Sequence, residues 1–201
     1  MISVVGIGPG DNQYLTCAAK KLIAEADYLA GWPRALAEFD DATATKYPIG
    51  SDLDGFIAWL QQMQAHKVVV LASGDPLLFG IGKRIAASLP PTQGQIVPGI
   101  SSVQYLFARI GLNMNDLYVT SSHGKQPDFD FLFAHSKVAM VTDQLIGPRQ
   151  IADELLKRGL NRTLYVGENL SYPDERIHCL RPSEVAAQYA MNVVVILDEG
   201  Q

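Results

Sequence analysis

Cysteine is almost absent: the chain has two, Cys17 and Cys179, far apart and outside any CxxC or histidine-rich ligand pattern. A disulfide framework or a structural zinc site is therefore not expected. Basic residues are also in the minority, with 16 Lys and Arg against 21 Asp and Glu and a formal net charge of -5. That balance argues against a general nucleic-acid binder, whose phosphate contacts need a basic face, and leaves room for a local basic pocket. Long apolar runs are missing as well. Gly6 and Gly8 interrupt the first one, so neither a membrane span nor a cleavable leader is expected and the chain reads as cytoplasmic. Repeats and low-complexity stretches are absent, which excludes a solenoid or a disordered tail. What is present is apolar material: 48% of the 201 residues are hydrophobic, enough for one large core or two smaller ones.

In the first half, short β-branched runs alternate with helical spacing. Ile2 to Ile7 reads as a buried parallel strand ending in glycines, Leu15 to Ala26 as a helix, Tyr28 to Ala30 and Thr45 to Ile49 as strands, and Leu53 to Met63 as a helix. Lys67 to Ala72 is the clearest strand, an unbroken apolar run closed by Ser73, Gly74, Asp75 and Pro76. A helix through Arg84 to Leu89, a strand at Gln95 to Val97 and a helix through Val103 to Ile110 follow. This is an alternating α/β pattern. The polar break Gly111 to Asp116 predicts a boundary between an N-terminal α/β domain over 1–112 and a C-terminal α/β domain with a mixed sheet over 113–201. In the latter, Leu117 to Thr120, Val138 to Thr142, Thr163 to Gly167, Arg176 to Cys179 and Asn192 to Leu197 have strand character, with helices near Gly147 to Arg158 and Pro182 to Tyr189.

Three loops carry possible chemistry. Gly6-Ile7-Gly8-Pro9-Gly10-Asp11 follows the first strand, where glycine permits positive φ and close approach of a ligand to backbone. It is not a dinucleotide fingerprint, because the third glycine comes one residue early and the second strand ends in Gly31 rather than an acid. Nor is it a P-loop, since no Gly-Lys-Ser or Gly-Lys-Thr follows. Ser73-Gly74-Asp75-Pro76-Leu77-Leu78-Phe79-Gly80 lies at the carboxyl end of a buried strand, where open α/β sheets bind ligands; a simple Asp-Pro turn explains it equally well. In Val97-Pro98-Gly99-Ile100-Ser101-Ser102 either serine can serve as a helix cap. Together the three loops, each after a strand and each built of glycine, proline and small polar residues, can form one pocket.

In order and spacing, these three loops resemble the signatures of the tetrapyrrole (corrin/porphyrin) methyltransferases, over essentially the whole chain. The resemblance implies two α/β domains with a trough between them, S-adenosylmethionine as methyl donor with S-adenosylhomocysteine as product, a polycarboxylated tetrapyrrole as substrate, and a homodimer. Ser121-Ser122-His123-Gly124-Lys125 and Gly167-Glu168-Asn169-Leu170-Ser171-Tyr172-Pro173 resemble the branch of the family that methylates carbon 5 of a corrin precursor. The chain ends at Gln201, so the resemblance leads us to expect a stand-alone enzyme of the anaerobic, cobalt-first route to cobalamin, with a separate carbon-15 methyltransferase and decarboxylase as its functional partner. Carried over by position, the family's cofactor contacts fall on Pro9, Ser73, Gly74, Asp75, Leu78, Ser101, Ser102, Thr142 and Leu170. Relatives acting on uroporphyrinogen carry an aspartate for proton removal where this chain has Ala30-Gly31-Trp32, so no base is assigned there.

Methyl transfer from a sulfonium needs a nucleophilic carbon held in line, and positioning alone can supply roughly 7–11 kcal/mol. The proton released afterwards can pass to His123, whose unperturbed pKa lies near neutrality, to a substrate carboxylate, or to solvent. Arg34, Lys125 and Arg149 are candidates for pairing with substrate acetates and propionates. His66, His135 and His178 read as surface or satisfied residues. Trp32, Trp59, Phe79 and Phe107 read as core packing on helices, and Cys17 as a small buried hydrophobe. Cobalt is expected only within the substrate, with no metal held by the protein. A non-catalytic corrinoid or adenosyl carrier, or an enzyme acting on another corrin carbon, diphthamide or an RNA nucleoside, competes with this reading.

Overall fold

The computed structural model describes residues 1–90, 92–124 and 126–198. They form two compact units, Met1–Ser101 and Ser102–Gln201. The division falls ahead of the polar break at 111–116, because the helix before that break packs on strands of the second unit.

The first unit is a five-stranded sheet of β1 (Ile2–Gly6), β2 (Tyr28–Gly31), β3 (Thr45–Pro48), β4 (Val68–Ala72) and β5 (Gly94–Val97), in the order β3-β2-β4-β1-β5. All its pairings are parallel. The alternation of strand side chains divides the core in two. Ile2, Val4, Ala30, Val68, Val70 and Ala72 face α3 (Leu53–Gln62) and α4 (Gly82–Ser88), while Val5, Ile7, Leu29, Val69 and Leu71 face α1 (Cys17–Ala24) and α2 (Pro33–Ala37). The central strand β4 is therefore apolar at every position, and the one buried polar side chain of β1, Ser3, accepts a hydrogen bond from Gln95 Nε2 at 2.9 Å. From β1 the chain crosses β4 to reach β2, and from β4 it crosses β1 to reach β5. The two central strands thus send their connections in opposite directions, which opens a crevice at their carboxyl ends.

The second unit has α5 (Ser102–Ile110), β6 (Tyr118–Ser121), α6 (Phe129–Phe133), β7 (Lys137–Val141), α7 (Pro148–Lys157), β8 (Arg162–Glu168), β9 (Arg176–Leu180) and β10 (Asn192–Asp198). Its sheet runs β6-β7-β10-β8-β9; β6 and β7 are parallel and the remaining pairs antiparallel, the mixed sheet that the sequence predicts. On α7, Pro148, Ile151, Ala152 and Leu155 recur at helical spacing and bury against Met140, Leu164, Val166, Val194 and Ile196.

Several expectations are corrected. The helix expected over 182–189 is only a 3-10 turn at Pro182–Glu184. Beyond it the Val185 carbonyl accepts from Arg149 Nη1 at 3.1 Å and the Ala186 amide donates to the Tyr189 hydroxyl at 3.0 Å, so neither group is left for a helical ladder. Trp32 and Phe79 are not helical core residues. They lie in connections at the carboxyl ends of β2 and β4 and are 42% and 48% exposed, whereas Phe107 is buried and Trp59 stacks on Tyr47 with ring centroids 3.9 Å apart. Cys17 is exposed at the first position of α1, and Cys179 is exposed on β9.

Candidate active site

The three glycine loops of the first unit converge at the carboxyl ends of β1, β4 and β5. Gly8 and Gly74 form a two-residue antiparallel bridge, with Gly74 N donating to Gly8 O at 2.8 Å. Both have left-handed backbones, φ +82° and +64°, which a side chain would strain. A methyl group on Gly6 would come within 2.5 Å of Gly99 N and 2.6 Å of Gly74 O, and one on Gly99 would overlap the same Gly74 oxygen. Three backbones meet where no Cβ fits.

Asp75 joins two of these loops. Its Oδ1 accepts from Leu77 N at 2.8 Å, shaping its own turn, and its Oδ2 accepts from Gly99 N at 3.2 Å. The Pro76 carbonyl accepts from Gly82 N at 3.0 Å, and a Cβ on Gly80 or Gly82 would crowd that oxygen, so the loop folds back on itself into α4. This folded loop presents Leu77, 58% exposed, and Phe79, whose φ of +57° is unusual for a bulky residue and is the kind of backbone strain found at ligand sites. Of the other expected contacts, Pro9 and Leu78 are half-buried and Ser73 is exposed beside the bridge. Ser101 is buried and directly precedes α5, which Ser102 opens. Asp11 caps the following 3-10 turn by accepting from Gln13 N.

In the second unit the pairings Ser121↔Val141, Val193↔Val141 and Asn192↔Glu168 place the ends of β6, β7 and β8 and the start of β10 at one end of the sheet. That end carries His123, Thr142, Asp143, Asn192 and the loop Asn169–Glu175. Thr142 is buried, its hydroxyl 2.7 Å from Asn192 Oδ1 and 3.0 Å from Asn192 O. The Ser122 hydroxyl donates to Ile146 O and accepts from Asp143 N. The Ile146 amide holds the Asp143 carboxyl below its usual range against the opposing effect of burial, aided by the Leu145 amide, the nearby His123 ring and Ser122.

The 169–175 loop extends beyond the Gly167 to Pro173 segment that the sequence marks. Asn169 and Ser171 are left-handed at φ +44° and +67° without being glycine. Glu175 pins the turn: it accepts from Ser171 N at 2.6 Å and from Arg109 Nε of α5 at 2.8 Å. Burial pushes its carboxyl up, but the Ser171 amide, the Tyr105 hydroxyl and Arg109 outweigh that and hold it below the usual range. Leu170 is buried against α5 beside Gly167, where a methyl group would come within 2.7 Å of Leu170 Cδ2 and 2.9 Å of Leu106 Cδ1. Leu170 can therefore offer a ligand its backbone rather than its side chain. No sequence signal singled out Glu175, Arg109, Tyr105 or Asn192.

The basic candidates lie on different elements. Arg34 is exposed on α2, just beyond β2, and Arg149 on α7 is ion-paired with Asp153 at 2.7 Å. Lys125 lies outside the described residues. Among the described residues no cluster of His, Cys, Asp and Glu could hold a metal ion, and no helix is long and apolar enough to cross a membrane.

A parallel sheet with glycine loops gathered at its switch point, followed by a mixed-sheet unit, defines a class, and the family model for Tetrapyrrole (Corrin/Porphyrin) Methylases matches residues 1–185. The chain belongs to that family. It is 48% identical over 200 residues to the cobalt-precorrin-7 C(5)-methyltransferase of Salmonella typhimurium, covering 99% of this chain and 100% of that protein. It is 30% identical over 197 residues to the decarboxylating precorrin-6Y C(5,15)-methyltransferase of Sinorhizobium sp, covering 96% of this chain and 47% of that longer protein. Among solved structures, the uroporphyrin-III C-methyl transferase of Thermus thermophilus complexed with S-adenyl homocysteine superposes with a TM-score of 0.80 at 25% identity, covering 98% of this chain and 96% of that one.

Proposed function

We propose that this chain transfers a methyl group from S-adenosylmethionine to carbon 5 of cobalt-precorrin-7, giving cobalt-precorrin-8 in anaerobic cobalamin biosynthesis. The observation that carries the reading is the 48% identity to the Salmonella enzyme along the whole of both chains. The Gly6–Gly74–Gly99 junction supports the cofactor: a Cβ on Gly6 or Gly99 would strike the neighbouring backbone, so the three loops are locked together at the carboxyl ends of β1, β4 and β5, where open parallel sheets bind their ligands. When bound, the cofactor supplies an electrophilic sulfonium methyl.

Pro9, Ser73, Gly74, Leu78, Ser101 and Ser102 are its proposed contacts, with Thr142 and Leu170 from the second unit. Asp75 acts on it by fixing the two loops it ties. The chain's own task is positioning, since the electron-rich corrin precursor provides the nucleophilic carbon and loses a proton as conjugation returns. Arg34, Arg149 and Lys125 are the proposed partners for substrate carboxylates. A cytoplasmic homodimer, working beside a separate carbon-15 methyltransferase and decarboxylase, completes the proposal.

Calorimetric titration with S-adenosylhomocysteine, then an anaerobic assay with cobalt-precorrin-7 and mass and NMR analysis of the product, tests it. Binding and one methyl group added at carbon 5 are expected. A methyl group at another carbon would reassign the substrate position, and absence of binding would remove the methyltransferase activity.

A further inference from the structure

We infer that His123 acts on the substrate as a hydrogen-bond donor through Nε2, holding a peripheral carboxylate, and is not the base that takes the substrate proton. The inference rests on the corrin-methylating function proposed above.

The argument is a count of donors and acceptors around Ser121. That serine ends β6 and is 3% exposed. Its oxygen accepts from the amide of His123 at 3.1 Å and lies 2.8 Å from His123 Nδ1. Among the described residues, Nδ1 is the one acceptor within reach of the Ser121 hydroxyl proton. The neighbouring Ser122 hydroxyl is turned to Ile146 O and Asp143 N and makes no hydrogen bond with Ser121. A buried hydroxyl left without an acceptor is costly, so Ser121 donates and Nδ1 accepts. In the neutral ring the proton then sits on Nε2.

A base at Nε2 requires the opposite tautomer. Nδ1–H would then face an oxygen that already accepts from an amide, and the Ser121 proton would have no partner. The serine therefore does for this ring what a second hydrogen-bonding partner does for any functional imidazole: it fixes the tautomer and the orientation. His123 itself is exposed, at the sheet end that carries Thr142 and the 169–175 loop. The nearby Asp143 carboxylate holds the amides of Leu145 and Ile146 through Oδ1 and makes no hydrogen bond to the His123 ring. A neutral N–H donor suits the acetate and propionate groups of a corrin precursor and has no lone pair to offer a carbon-bound proton.

Long-range proton–nitrogen correlation NMR of histidine-labelled protein at alkaline pH reads the tautomer directly, with His123→Gln assigning the resonance. Protonated Nε2 and bare Nδ1 are expected, and Ser121→Ala should erase the preference. A proton on Nδ1 would overturn the inference. The second readout is affinity for cobyrinic acid, a stable cobalt corrinoid polycarboxylate. His123→Ala should weaken it about 10-fold, and His123→Gln, whose amide can donate but cannot act as a base, should restore most of it. Equal affinity of wild type and His123→Ala would sink the carboxylate contact. In turnover with cobalt-precorrin-7 the alanine variant should raise KM with kcat little changed; a fall in kcat of about 100-fold in His123→Gln at constant KM would make His123 the base after all. Failure of the wild type to bind S-adenosylhomocysteine would reject the methyltransferase function by itself, with the tautomer and the cobyrinic acid result still deciding the role of His123.

Discussion

In the first unit three loops meet backbone to backbone, whereas in the second the loops at the sheet end are held by side chains reaching across to one another. Gly6 and Gly99 leave no room for a Cβ and Gly74 has a left-handed backbone, so that junction favours glycine at all three positions. Thr142 with Asn192, Ser121 with His123, and Glu175 with Arg109 and Ser171 do the same work through polar groups that can be exchanged conservatively, and the Glu175 carboxyl among them titrates. A backbone junction is rigid and intolerant. A side-chain network is adjustable and sensitive to pH.

The sharpest way to break that comparison is Gly99→Ala, which drives a methyl group into the Gly74 carbonyl and the Gly6 backbone. A loss of about 3 kcal/mol in chemical denaturation and abolished S-adenosylhomocysteine binding are expected. Glu175→Ala should cost about 2 kcal/mol, because it strips the Ser171 amide and the Tyr105 hydroxyl of their acceptor, and Glu175→Gln should recover part of that. Asp75→Asn turns an amide donor toward Gly99 N while sparing the bond to Leu77. It should cost about 1 kcal/mol and weaken S-adenosylhomocysteine several-fold by calorimetry; unchanged affinity would show that the two loops need no tie.

The smallest effect is on pH dependence. Glu175 is held below its usual range, so its contribution is complete above the unfolded value of about 4.3 and fades as pH falls through the lower folded value. The gap in melting temperature between wild type and Glu175→Gln should therefore shrink on acidification from about pH 6 toward pH 3. A gap that stays constant would mean the carboxylate charge is irrelevant to the turn.

The same contrast explains what could be read from the residue order. Loops built from glycine and proline announce themselves, because few other residues adopt their backbone, and β1, β4 and their glycine turns stood out for that reason. Partners joined across the fold leave no local trace: Arg109 and Glu175 are 66 residues apart, and Thr142 and Asn192 are 50 apart. Helix α6 went unseen because Phe129-Asp130-Phe131-Leu132-Phe133 has strand-like alternation, and it is the Asp128 cap on Asp130 N and Phe131 N that starts the helix. Conversely, Pro182 to Tyr189 has helical composition, but Arg149 and the Tyr189 hydroxyl claim its backbone groups.

The position of β1 bears on how the chain is made. It is the earliest strand of this sequence, yet Ile2 is paired with Val68 on one side and Gly94 on the other. Until those segments emerge, Ile2, Val4 and Val5 have no sheet to enter, so the chain as far as Gly94 must be synthesised with an apolar strand waiting. The second unit closes its hairpin-like pair β8 and β9 over a much shorter stretch. Nascent-chain release should accordingly find the first unit protease-sensitive until β5 is clear of the exit tunnel, with protection arriving in one step.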